Sequence, residues 1–190
     1  MQVNNYRNNN VSFGSKRIFP AHAKEMYTKK VLPAWFSRLK LSDPVDVAAM
    51  REIRSDWDYT TGDKHAQIIC DLFRLGMPVY ALELESPKSL SRKILCLAAI
   101  KRKESNLNLR YIQSSPESSY NTEYIRIYKG AGTAVMRGLV RIAKKAGVSL
   151  FKLSATQSSK DFYKKLGMVE RNRHMTFNPE EMKQFLTNYR

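Results

Sequence analysis

Two cysteines, three histidines and 17 acidic residues are few for a chain of 190. Cys70 and Cys96 stand far apart in apolar surroundings, which argues against a disulfide framework and for buried thiols in a reduced protein. Neither they nor His22, His65 and His174 show the spacing of a zinc site, so no metal is expected. No apolar run approaches the ~20 residues that a membrane span needs. The first residues are polar and lack the apolar core of a secretory signal. No internal repeat is visible. The acids are outnumbered by 33 Lys and Arg, a formal charge of +16. Such a field suits a phosphate-bearing ligand, nucleic acid, an acidic partner or an anionic membrane, and it also serves plain solubility.

At 43% hydrophobic and 26% charged, the chain has the balance of a globular protein with one sizeable core. Residues 1–15 are rich in Asn and Ser without a hydrophobic period and read as a flexible arm, leaving 16–190 as the folded domain. The arm's composition fits both an ordinary chain end and a leader for export as a bacterial effector. The cytoplasm is the expected compartment, with export the alternative.

Residues 17–20 suit a short strand and 21–39 a helix, with Met26, Val31, Leu32, Trp35, Phe36 and Leu39 apolar and a bend at Pro33. Asp43-Pro44 starts a second helix, as cap and first-turn residue, with Val47, Met50 and Ile53 as its stripe. Residues 55–63 break the period with Asp56, Asp58 and Asp63 around Trp57 and Tyr59, and read as a solvated loop anchored by the tryptophan. A helix over 65–75 ends at Gly76. Strands follow over 79–85, 93–103 and 107–114, with Glu83 and Glu85 on one face of the first. Successive strands, then strand and helix alternation, indicate a mixed α/β layered domain.

Gly130 and Gly132 flank one small residue ahead of an amphipathic run: Val135, Met136, Leu139, Val140, Ile142, Ala143 and Ala146 on one side, Arg137, Arg141, Lys144 and Lys145 on the other. This is a helix entered through a glycine turn and ended at Gly147. Its first N–H groups lack carbonyl partners and suit a phosphate. A dinucleotide fingerprint is excluded, because Val135 stands where a third glycine belongs and Phe151, Lys152 and Leu153 where an acid belongs. So is a P-loop, since Lys129 precedes the glycines. A strand over 149–155, a short helix in SSKDFYKKLG ended by Gly167, and an extended run from Met168 complete the order. Residues 126–173 hold twelve Lys and Arg against Asp161 and Glu170, so much of the charge gathers around the turn.

That order resembles the GNAT superfamily of N-acetyltransferases. The family's cofactor loop, [QR]-x-x-G-x-[GA], is matched at Gly130, Ala131 and Gly132, with Ile127 in place of the usual Gln or Arg and Arg126 one position earlier. Its later motif, often FYEKLGF, is matched by FYKKLGM at residues 162–168, and the likeness covers 107–177. The resemblance implies a GNAT-like, mostly antiparallel central sheet flanked by helices. It implies acetyl-CoA as co-substrate and direct attack on the thioester by an amine, on a protein or another macromolecule given the charge. Backbone amides of Gly130, Ala131, Gly132, Thr133 and Ala134 would hold the pyrophosphate, with Lys129 adding charge, Gln157 near the pantetheine arm and Lys160 within reach of phosphate.

The end of the strand at Gln113 and Ser114 would offer amides to the carbonyl oxygen, and Tyr163 would protonate the leaving thiolate. A free phenol, of pKa about 10, stays protonated at neutral pH. Relatives often carry a glutamate early in the preceding strand, where this chain has Leu107, Asn108 and Leu109. The base then falls to Glu123, with Glu85 or a water relay as alternatives. The segment before the turn, 115–127, is longer than is usual in the family and reads as an inserted loop over the site or as a local pairing element with Tyr124, Ile125 and Ile127 packed inward. The competing expectation is a GNAT-fold basic module without catalysis that binds nucleic acid or an acidic partner.

Overall fold

The computed structural model describes residues 16–61, 64–85, 93–119 and 126–189; the arm 1–15 and Glu123 lie outside them. Residues 21–39, expected as a helix, form most of a hairpin instead: β1 (Lys16–Glu25) and β2 (Val31–Arg38) pair antiparallel, with Ala21 opposite Ala34 and Ala23 opposite Leu32. The 3–4 spacing of Leu32, Trp35, Phe36 and Leu39 mimics a helix. Pairing with β3 (Val79–Leu84) overrides it, placing Trp35 opposite Glu83 and Phe36 opposite Leu82. The alternation then buries Ala21, Ala23, Ala34 and Phe36 and leaves Met26 and Val31 exposed. Pro33 offers no N–H, and its carbonyl accepts from the Glu85 amide at 3.0 Å.

Helix α1 (Pro44–Thr61) starts as read, with the Asp43 carboxylate accepting from the Val45 amide at 2.9 Å. It does not stop at Ser55. Met50, Ile53 and Trp57 continue one stripe at helical spacing, and burying Trp57 outweighs the acids beside it. After α2 (His65–Arg74) come β4 (Ile94–Lys103), β5 (Asn106–Ser114), β6 (Tyr128–Lys129) and α3 (Ala131–Lys145). Then follow β7 (Leu150–Leu153), α4 (Lys160–Lys165), β8 (Val169–Arg171), β9 (His174–Phe177) and α5 (Pro179–Asn188). The strands make one sheet in the order β6-β1-β2-β3-β4-β5-β7-β9-β8, antiparallel throughout except for the parallel pair β5 and β7.

Helices cover both faces. α3, α4 and α5 pack with Phe36, Tyr80, Leu82, Phe151 and Phe177 on one face, and α1 and α2 pack with Val79, Ala81, Leu97 and Ala99 on the other. β4 lies between the two cores, and its first seven residues are all buried. No helix among the described residues is long and apolar enough to cross a membrane. Among those residues no group of three or more His, Cys, Asp or Glu could hold a metal ion.

α3 lies very close to β2. A Cβ built on Gly138 would stand 2.5 Å from ring carbons of Phe36. That ring cannot step aside easily, being 1% exposed and stacked on Tyr80 with centroids 5.3 Å apart. At the other end of the chain, α5 opens on a capping box. The Asn178 side chain accepts from the Glu181 amide at 2.9 Å, and Glu181 accepts from the Asn178 amide at 2.8 Å. Glu181 also takes two hydrogen bonds from the Arg171 guanidinium, at 2.6 and 3.1 Å, which ties α5 to β8 and holds its carboxyl below the usual range.

Two outcomes follow. Helix propensity alone would make Gly138→Ala stabilising by about 1 kcal/mol. The Phe36 contact reverses the sign, and urea unfolding should show a loss of about 1–3 kcal/mol. Glu181 has a depressed carboxyl pKa, so its contribution is present above the unfolded value of about 4.3 and is lost as pH falls through the folded value. Glu181→Gln should therefore lower the urea midpoint at pH 7, and its difference from the wild type should shrink as the pH falls below about 4.3; a difference that grows as the pH falls contradicts the ion pair.

Candidate active site

Two local irregularities meet between α3, α4 and β5. The first is the glycine turn. β6 pairs with the end of β1, Lys24 opposite Lys129, and the chain then reverses through Gly130 at φ 87°. That left-handed conformation is why glycine stands here. Gly130 is the N-cap of α3 and no side chain caps the helix. The first intrahelical bond runs from the Ala134 amide to the Gly130 carbonyl at 2.9 Å, so the amides of Ala131, Gly132 and Thr133 precede the ladder. A Cβ on Gly130 would meet nothing within 4 Å. It is the backbone angle, not crowding, that calls for glycine here, and aligned amides at a helix start favour an anion.

The second irregularity is in the sheet. β5 and β7 run side by side only from Asn106 opposite Leu150 to Leu109 opposite Leu153. On the β4 side the register shifts there: Ile100 faces Leu109 while Ala99 faces Tyr111, which leaves Arg110 as an extra, bulged residue. Beyond it β5 continues to Ser114 with β4 as its only strand partner among the described residues, and among these no strand is paired with the edge turned away from β4. A slender ligand can take up the backbone groups of that edge.

Helix α4 joins the two. The Phe162 ring stands where a Cβ on Gly132 would come within 3.4 Å of it, so Phe162 forms one wall of the glycine turn. Tyr163 meets Phe162 edge-on, with centroids 5.1 Å apart, and lies 5% exposed beside Cys96 of β4. Ser114, at the end of β5, is opposite Cys96, and its hydroxyl donates to the Cys96 sulfur at 3.9 Å. Burial pushes the Cys96 thiol up to about 12, against the opposing pull of the Ser114 hydrogen bond. Burial, with Cys96 close by, likewise holds the Tyr163 hydroxyl above the ordinary phenol range.

The residues singled out from sequence thus divide. Gly130, Ala131, Gly132, Thr133 and Ala134 form the turn and first helical turn; Gln113 and Ser114 end the parted strand, and Tyr163 lies beside Cys96, the residue opposite Ser114. Gln113 is half-buried and its side-chain amide donates to the Ser114 carbonyl at 3.3 Å. Lys129 is exposed beside the turn and Gln157 exposed ahead of α4. The Lys160 ammonium is engaged by Glu170 at 2.7 Å. Glu85 is exposed in an ion pair with Arg17 at 3.6 Å, whereas Glu83 is 7% exposed inside the sheet. Glu123 lies outside the described residues.

Three features escaped the sequence reading. Cys96 was visible only as an apolar strand residue. Lys93 bridges Glu117 at 2.8 Å and the Tyr128 ring at 4.9 Å, which ties the residue just ahead of β4 to the segment before the turn. Arg137 was placed on the solvent side of α3 but is half-buried; counting the helix angle from the glycine turn would have set it beside Thr133 and Ala134.

No model of a protein family matches the sequence, and no curated protein matches it either. Solved structures do. The fold is that of the GNAT N-acetyltransferases. Tetrahymena GCN5 superposes with a TM-score of 0.52 at 12% identity, over 78% of this chain and 85% of that one. The catalytic domain of Tetrahymena GCN5 histone acetyltransferase in complex with coenzyme A gives 0.50 at 13% identity, over 80% and 84%. The ribosomal-protein-S18-alanine N-acetyltransferase from Escherichia coli gives 0.50 at 16%, over 75% and 89%. At these identities the likeness is one of fold.

Proposed function

We propose that this protein is an N-acetyltransferase that moves an acetyl group from acetyl-CoA to an amine, on a protein or another macromolecule. The observation that carries the reading is the junction made by Phe162: uncapped amides of α3 on one side, and on the other a buried phenol beside the parted edge of β5. A long molecule with a diphosphate in its middle and a sulfur at one end matches that arrangement. Amides of Ala131, Gly132 and Thr133 hold the diphosphate, and the free edge of β5 beyond Arg110 takes up the polar arm. The amides toward Gln113 and Ser114 stabilise charge on the thioester oxygen.

In the transfer, the amine nitrogen bonds to the acetyl carbon and the carbon–sulfur bond breaks. The amine's surplus proton leaves through a base, and Tyr163 gives its proton to the departing sulfur. A raised phenol pKa would make Tyr163 a poor acid toward a thiolate in water. The same dry surroundings raise the sulfur too, as the Cys96 thiol at about 12 illustrates, so the two shifts offset each other. For the base, Glu85 is occupied by Arg17 at the surface, which leaves Glu123 or a chain of waters. The rival reading, a basic module without catalysis, draws on the formal charge of +16 and on Ile127 in place of Gln or Arg.

Thiol release from acetyl-CoA with candidate acceptors tests the proposal. Tyr163→Phe should lower turnover about a hundredfold, within the usual worth of a general acid, and leave acetyl-CoA affinity nearly unchanged. Unchanged turnover removes the acid role. Salt-dependent binding to nucleic acid with no uptake of acetyl-CoA favours the module.

A further inference from the structure

The gap where β5 and β7 part has a second wall, on the β7 side. The last pair of that ladder is Leu109 opposite Leu153, and Ser154 is the first residue beyond it. β9 pairs with β7 at the same level, Met175 opposite Leu153, which brings His174 beside Ser154 at the parting. The Ser154 hydroxyl and Nδ1 of His174 share a hydrogen bond of 3.0 Å.

Alternation decides which face of the sheet this pair serves. Phe151 and Leu153 of β7, with Met175 and Phe177 of β9, are buried in the core under α3, α4 and α5, and Tyr163 lies in that same core. Lys152, Ser154 and His174 therefore turn to the opposite face. On that face α1 and α2 cover residues of β3 and β4, whereas Ser154 is exposed and His174 only half-buried. The imidazole and the phenol thus stand on opposite sides of the sheet. The charged side chains nearest His174 in the register are Arg171, opposite it in β8 and held by Glu181 and Thr176, and Lys152 in β7.

We propose that His174 is the general base of the transfer, taking the proton of the attacking amine on Nε2, and that Ser154 orients it. This rests on the acetyl-CoA reading and deepens it, putting a described side chain in the place left to Glu123 or water. In the tetrahedral adduct the nitrogen and the sulfur occupy different corners of one carbon, so proton acceptor and proton donor reach it from different sides. With Nδ1–H donating to the Ser154 oxygen, the lone pair of the neutral ring lies on Nε2. The nitrogen's surplus proton moves there as the nitrogen–carbon bond forms and the carbon–sulfur bond breaks, while Tyr163 protonates the sulfur. Solvent then takes one proton from the half-exposed imidazole and returns one to the phenol, which closes the count.

Ring resonances of histidine-labelled protein test the placement without turnover. The chain has three histidines, so His174→Gln identifies the His174 signals by their loss. Acetyl-CoA, at saturation by calorimetry, should shift those signals more than coenzyme A does, and the neutral ring should carry its proton on Nδ1. Signals that stay still while acetyl-CoA binds, or a neutral ring protonated on Nε2, overturn the inference and leave the acetyl-CoA reading intact. Failure of acetyl-CoA to bind overturns both. Kinetics with polylysine as acceptor test the role, with thermal melts confirming the fold of each variant. His174→Gln should lower kcat about a hundredfold at unchanged acetyl-CoA affinity, and free imidazole should restore part of the loss in His174→Ala. Ser154→Ala should lower kcat by a smaller factor, and Ser154→Thr, which keeps the hydroxyl, should not. An unchanged kcat in His174→Gln, or a loss in His174→Ala that imidazole leaves untouched, also overturns the inference.

Discussion

β5 and β7 keep company for four residue pairs and then part at Arg110, where one extra residue breaks the register with β4. A parallel pair that continued its ladder would have consumed every backbone donor and acceptor along the edge. Because it does not, the middle of an otherwise closed sheet presents free backbone groups inside the protein rather than at its rim. Substrate polar groups can be matched there without any side chain being assigned to the task.

The opening is useful only if something holds its walls at the right distance, and that role falls to α4. Six residues long, it could not stand alone. It is fixed by Phe162 against Gly132 and by Tyr163 packed into the core beside Cys96. Gly132 lies against that ring, where an added Cβ would stand 3.4 Å from it. α5, capped by Asn178 and held to β8 through Glu181 and Arg171, braces the same assembly from below, with the Tyr189 hydroxyl donating to the Lys165 carbonyl at 2.9 Å. Charge acts at longer range, and with 33 Lys and Arg against 17 acids the chain's field favours anions over cations.

What could be read from the chain was what local chemistry dictates. Gly130 needs a left-handed backbone, Gly147 and Gly167 close helices in the same conformation, and Asp43-Pro44 starts α1; each signal spans a few residues and survives any tertiary context. The motifs at Gly130 and Phe162 are local in the same way, and the fold brings Phe162 against Gly132. The hairpin of β1 and β2 was missed because its apolar spacing is ambiguous and is resolved only by β3, more than forty residues later. The end of α1 was missed because Trp57 is held by a core to which α2 and β4 also contribute, a fact no window around 55–63 contains. Arg137 was assigned to solvent by helical angle alone, since β1 and Tyr189, which enclose it, lie far away in sequence. Residues 178–189 drew no reading at all, although the run Asn178-Pro179-Glu180-Glu181 carries a capping box in plain view.

The central claim is that unpaired amides at the start of α3 and the free edge of β5 bind one molecule together. Backbone amide chemical shifts of the labelled protein, followed as acetyl-CoA is added, measure this directly. The account predicts that the largest changes fall on Gly130, Ala131, Gly132 and Thr133 and, in the same titration with the same affinity, on residues 111–114. Changes confined to one of the two groups, or scattered over the exposed lysines while both groups stay still, would contradict it.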